Sequence, residues 1–131
     1  MGRNISILVI ENESYIGKVL QYNLTLDGFQ VILAPNGRDG LQKALANQPD
    51  LILLDRKMSE VDGFDALCEL KNDQISCDIP VLMLIGDNAE DEISAALADG
   101  ADGYILKPFD PMELGKLIMS QLENVEAFSV I

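Results

Sequence analysis

Five short runs of apolar residues, none broken by polar alternation, recur along the chain with helix-like segments between and after them. The runs cover residues 6–10, 30–33, 51–54, 81–85 and 103–106. A strand such as Leu51-Ile52-Leu53-Leu54 has no polar face, so both its sides are covered, as in a parallel sheet packed between helices. The intervening segments carry helical spacing. Ile16, Val19, Leu20 and Leu24 precede a stop at Asp27-Gly28, and Asn36-Gly37 opens a segment with Leu41, Ala44 and Leu45 on one face. Phe64, Leu67 and Cys68 mark a third helix. Ile93, Ala96 and Leu97 mark a fourth, ending at Asp99-Gly100, and Leu114, Leu117, Ile118 and Leu122 follow Pro111 in a fifth. Strict alternation with short connections predicts an α/β fold, a doubly wound five-stranded parallel sheet of (βα)5 type in three layers, α/β/α.

Right-handed crossovers put one set of loops at the carboxyl edge of such a sheet, where ligands bind. Those loops carry Glu11-Asn12-Glu13, Asp55, Gly86-Asp87 and Lys107-Pro108. Glu11, Asn12 and Asp55 are hard oxygen donors of the kind Mg²⁺ selects, and a small site leaves waters on the ion. Two carboxylates about 4 Å apart repel by roughly 4 kcal/mol at an effective dielectric of 20, so the cluster favours a cation. Lys107 adds a fixed positive charge. A cation on either side of one carboxylate suits attack by that carboxylate on a phosphoryl group, which makes Asp55 the candidate acceptor.

Composition narrows the alternatives. The chain has 131 residues, 48% of them apolar, which fits one domain with a real core. The expected division is a single domain, 1–131, with its core at about 4–124 and a tail at 125–131. No histidine is present, so Ser-His and Cys-His nucleophilic catalysis is excluded. Cys68 and Cys77 make no disulfide framework or zinc spacing, and Cys68 reads as packing. A net charge of −13 repels nucleic acid and anionic lipid, so neither is expected as a direct partner. The apolar runs are strand-sized, too short to span a membrane, and Met1-Gly2-Arg3-Asn4 lacks signal-peptide architecture, so a cytoplasmic location is expected. Met58, Met83, Met112 and Met119 read as gap-filling core or loop residues. Arg56 and Lys57, beside an acidic pocket, read either as solvated bases or as local compensation for Asp55.

Three segments together carry a family resemblance over nearly the whole chain. They are Ile7-Leu8-Val9-Ile10-Glu11-Asn12-Glu13, then Asp50-Leu51-Ile52-Leu53-Leu54-Asp55-Arg56-Lys57-Met58 with Val61-Asp62-Gly63-Phe64, and Gly100-Ala101-Asp102-Gly103-Tyr104-Ile105-Leu106-Lys107-Pro108-Phe109. The chain resembles a response-regulator receiver domain of two-component signalling, similar to the chemotaxis regulator. That resemblance implies a flavodoxin-like fold and phosphorylation of Asp55 by a sensor histidine kinase or phosphotransfer protein. It also implies Mg²⁺ held by Glu11, Asn12, Asp55 and the backbone carbonyl of Lys57. Lys107 would contact the phosphoryl group, Lys107-Pro108 would be cis, and Tyr104 would be the aromatic that changes position on activation. Receivers pass the signal to an effector protein or domain, commonly through the fourth helix, fifth strand and fifth helix, here including Ala95, Tyr104 and Met112. Homodimerisation stays open. Receivers are not enzymes beyond assisting their own phosphorylation and dephosphorylation.

Three positions depart from the family pattern. Asn12 stands where a second acid usually binds the metal, which predicts weakened Mg²⁺ affinity; Glu13 reads as a solvated residue at the helix start. Ile85 stands at the end of the fourth strand, where a Thr or Ser hydroxyl usually bonds the phosphoryl oxygen and couples it to the aromatic. Ser59 replaces a loop proline. The alternative function is therefore a degenerate pseudo-receiver that binds partners without phosphorylation. A flavodoxin-like FMN protein is disfavoured, because Glu11-Asn12-Glu13-Ser14 is the electrostatic opposite of a phosphate loop.

Overall fold

A computed structural model describes residues 5–57, 63–86 and 89–123, with the side chain of Ala89 excepted. Met58, Ser59, Val61, Asp62, Asp87 and the expected tail at 125–131 lie outside the described residues. The elements run β1 (Ser6–Ile10), α1 (Ser14–Leu26), β2 (Gln30–Ala34), α2 (Gly37–Asn47), β3 (Leu51–Asp55), α3 (Gly63–Asn72), β4 (Val81–Ile85), α4 (Ala89–Ala98), β5 (Gly103–Leu106) and α5 (Leu114–Leu122). The strands form one parallel sheet in the order β2-β1-β3-β4-β5. This is the doubly wound, flavodoxin-like arrangement expected from the alternating pattern. Its order reverses between β1 and β3, so the loops after those two strands flank the crevice where such sheets bind ligands.

Side-chain alternation divides the interior into two cores. Leu8, Ile10, Ile52, Leu54, Met83 and Ile85 face a layer that includes Ala44 of α2, Leu67 of α3 and Ala96 of α4. Ile7, Val9, Leu51, Leu53, Leu82 and Leu84 face Leu20 and Leu24 of α1 and Leu114, Ile118 and Leu122 of α5. All five residues of β3 and of β4 are buried, as the unbroken apolar runs require. At roughly 1.5–3 kcal/mol for each large aliphatic side chain removed from water, this double core dominates the stability.

The helix boundaries follow local chemistry. Asn36 caps α2 by accepting from the Asp39 N–H at 2.8 Å. Gly28 after α1 and Gly100 after α4 adopt φ of 98° and 106°, the left-handed stops read from Asp27-Gly28 and Asp99-Gly100. At the fifth helix, Pro111 lies not in α5 but in a preceding 3₁₀ turn, Pro111–Glu113, where the Met112 N–H donates to Asp110 Oδ1 at 3.0 Å. Three residues read from helical spacing are less buried than that spacing implies. Ile16, Leu97 and Leu117 are 38%, 47% and 36% exposed, because each helix meets the sheet along a narrower stripe than its apolar face. Met112 is also exposed, whereas Met83 is a core residue.

Candidate functional site

β3 delivers Asp55 to the carboxyl edge as its last residue, still only 3% exposed. The backbone holds it there. The Arg56 N–H donates to the Leu84 carbonyl at 3.0 Å, which keeps the chain in register with β4 one residue past the carboxylate. The connection to α3 then returns to the same point, as the Gly63 N–H donates to the Arg56 carbonyl at 3.0 Å. A Cβ on Gly63 would sit 2.6 Å from both Arg56 Cα and the Asp55 carbonyl oxygen, so only glycine permits this approach.

Three groups converge on the Asp55 side chain. Lys107 Nζ, from the loop after β5, donates to Oδ1 at 2.7 Å, the short distance of a charge-assisted bond. The Lys57 N–H donates to the same oxygen at 3.1 Å. Glu11, at the end of β1 and 5% exposed, hydrogen-bonds the Asp55 carboxyl group. Its own pKa is pushed up to about 8, chiefly by burial, then by the hydrogen bond to Asp55 and its charge; the Glu13 N–H and Lys107 oppose the rise. At neutral pH Glu11 is therefore largely protonated. Glu11 and Asp55, both buried, have the hard-oxygen chemistry of a divalent-cation site, and a cation held there would displace the Glu11 proton.

The remaining expected residues are close by. Asn12 follows Glu11 and is half-buried; Glu13 is exposed, and its N–H donates to Glu11 Oε2 at 3.1 Å. No cluster of three or more acidic, Cys or His metal donors occurs among the described residues, consistent with a neutral Asn12 in the loop. The Lys107-Pro108 peptide is cis, as expected from the motif. Ile85 is fully buried, and its carbonyl accepts from the Lys107 N–H at 2.7 Å. Its side chain and that of half-buried Tyr104 pack into the same core, on the α2–α3–α4 side of the sheet.

A cavity of about 530 Å³ opens beside this cluster, lined by Arg56, Lys57, Glu92, Lys107, Gly86 and Pro108. Neither expectation for Arg56 describes it. It is neither fully solvated nor paired with Asp55: its Nε lies 3.7 Å from Glu92 Oε2 on α4, and its guanidinium carbon lies 5.1 Å from the Phe64 ring centroid. Side-chain alternation along β3 accounts for this, since Arg56 emerges on the opposite face from Asp55. Glu92 was missed in the sequence; the only signal was a run of acids, Glu90, Asp91 and Glu92, in the first turn of α4.

Comparison with known proteins agrees with this geometry. The family model described as "Response regulator receiver domain" matches residues 7–119. The alkaline phosphatase synthesis transcriptional regulatory protein PhoP of Bacillus subtilis (strain 168) is 37% identical over 123 residues, covering 94% of this chain and 50% of that protein. The probable transcriptional regulator ycf27 of Galdieria sulphuraria is 37% identical over 130 residues, covering 98% of this chain and 49% of that protein. The chain thus spans about half the length of these relatives. Among solved structures, chemotaxis protein CheY4 of Vibrio cholerae superposes with a TM-score of 0.85 at 27% identity, covering 92% of this chain and all of that one. Receiver domains are signalling modules and not conventional enzymes, and they generally bind Mg²⁺ at an acidic pocket. With the fold, the acidic pocket and the matched segments in agreement, the chain belongs to the response-regulator receiver domain family.

Proposed function

We propose that this domain accepts a phosphoryl group on Asp55 from a sensor histidine kinase or phosphotransfer protein and relays that state to an effector. One observation carries the reading: a carboxylate, buried at the end of β3, is held 2.7 Å from a lysine ammonium, with a second buried acid at the end of the neighbouring strand β1. An Asp55 carboxylate oxygen attacks phosphorus, forming an O–P bond as the P–N bond to the donor histidine breaks, and the imidazole leaves with its electron pair. Lys107 balances charge on the phosphoryl oxygens, and the Lys57 N–H keeps the acceptor oriented.

Glu11, Asp55, the Asn12 side chain and the Lys57 carbonyl would hold Mg²⁺, which supplies charge neutralisation on the phosphoryl oxygens. With Asn12 neutral, one charge fewer binds the ion, so its affinity is lower than in a loop with two acids. The same groups assist the domain's own phosphorylation and its hydrolytic reversal. Ile85 and Tyr104 sit where the switch would operate, so the response on the α4–β5–α5 face, including Ala95 and Met112, is weaker than with a hydroxyl at position 85. Homodimerisation through this face is one way the output could be expressed.

The whole chain, 1–131, acts as one receiver domain with its core at about 4–124. It works in the cytoplasm without binding nucleic acid directly. Among the described residues, no helix is long and apolar enough to cross a membrane. The test is labelling from a small-molecule phosphodonor. The native protein takes up label and Asp55→Asn takes up none; equal labelling of both would refute the acceptor assignment. A native protein that takes no label yet binds its partner would instead be a pseudo-receiver.

A further inference from the structure

We propose that Arg56 is a second phosphoryl-contacting cation, held in reserve by Glu92 and drawn to the phosphorylated Asp55, where it replaces the hydroxyl that Ile85 cannot supply. The proposal rests on the reading of Asp55 as acceptor and adds a residue to it.

Four observations lead there. Arg56 Nε is buried and has no hydrogen-bond partner among the described residues, so that nitrogen is unsatisfied where it stands. Its tie to Glu92 is a single 3.7 Å contact between side chains that are 26% and 25% exposed, a weak ion pair. Arg56 lines the same 530 Å³ cavity as Lys107, whose ammonium donates to Asp55. Finally, Arg56 emerges on the α3 side of the sheet, where it meets Phe64, and Ile85 belongs to the core on that side. The arginine and the side chain at position 85 therefore lie on one side of the sheet, at the ends of the neighbouring strands β3 and β4.

Phosphorylation replaces one negative charge on Asp55 by nearly two and adds strong acceptor oxygens. Guanidinium suits such a group better than a lone carboxylate at 3.7 Å, because its fork makes paired charge-assisted bonds. Phe64 supports the head group by its ring face while the partner changes. The exchange also removes the Glu92 contact that ties the first turn of α4 to the loop after β3. That gives α4 a route to sense Asp55 that does not pass through position 85.

The test uses the whole chain, saturating Mg²⁺ and beryllofluoride as the phosphoryl mimic, with binding followed by calorimetry. Arg56→Met should weaken binding about tenfold or more, the scale of one lost hydrogen bond to a charged group. Glu92→Gln frees the arginine and should strengthen binding severalfold. Arg56→Lys should fall between native and Arg56→Met. The opposite signs matter, because a merely structural ion pair would make both variants bind worse. Native-like binding by both variants, or weaker binding by both, would overturn the role of Arg56 while leaving Asp55 as acceptor. Absence of binding by the native protein would overturn the acceptor reading and this proposal with it.

Discussion

Ile85→Thr separates the energetics of the resting fold from those of the switch, because its two effects have opposite signs. Ile85 is fully buried in the α2–α3–α4 core. Losing its terminal methyl group costs about 0.5–1.5 kcal/mol, as in Ile→Val changes. A threonine hydroxyl with no partner in that core adds about 1–3 kcal/mol. The resting domain should therefore lose about 1.5–4.5 kcal/mol, read as a lower urea midpoint at unchanged slope. In the beryllofluoride adduct the hydroxyl gains a charged acceptor, worth roughly 1.5–3 kcal/mol. Affinity for the mimic should rise by one to two powers of ten, since each decade is about 1.4 kcal/mol. At saturating ligand most of the stability deficit should disappear. Affinity within twofold of native, with the resting fold destabilised as expected, would show that no acceptor oxygen comes within reach of position 85.

Lys107→Ala removes the cation 2.7 Å from Asp55 and should slow phosphoryl uptake about 10²-fold or more, measured as the initial labelling rate. Glu11 makes the domain sensitive to pH. Its pKa is raised to about 8, so the stability gained from its protonated form is complete below about 4.5 and is lost as pH rises through about 8. Urea midpoints in metal-free buffer should fall across that window, and Glu11→Gln should flatten the dependence. Mg²⁺ affinity should run the other way, rising from pH 6 to about 8, with proton release in calorimetry across buffers of different ionisation enthalpy. Gly63→Ala places a methyl group 2.6 Å from the Arg56 and Asp55 backbone and should cost about 1–3 kcal/mol in chemical denaturation, with reduced phosphorylation from the displaced carboxylate.

Much of the architecture was legible because its signals are local. An unbroken Leu51-Ile52-Leu53-Leu54 cannot tolerate a wet face, and Asp27-Gly28 and Asp99-Gly100 stop helices through backbone conformation alone. The approach of Lys107, Glu11 and Asp55 was legible at one remove, since alternation and crossover handedness send all three to one edge. Burial on the helices was harder to read. Spacing places Ile16, Leu97 and Leu117 on apolar faces, but how wide a stripe the sheet covers depends on helix orientation. The raised pKa of Glu11 depends on burial depth, which residue type does not encode. Least legible was Arg56 with Glu92, joined only because β4 and α4 fold back across the end of β3.

The most direct measurement is chemical trapping of the acyl phosphate. After reaction with a phosphodonor and Mg²⁺, borohydride reduction converts a phosphorylated aspartate to homoserine, which peptide mass spectrometry locates. Homoserine at position 55, absent when Mg²⁺ is chelated and sharply reduced in Lys107→Ala, is the predicted result. Homoserine at another acid, or none anywhere under conditions that label a competent receiver run in parallel, would contradict it.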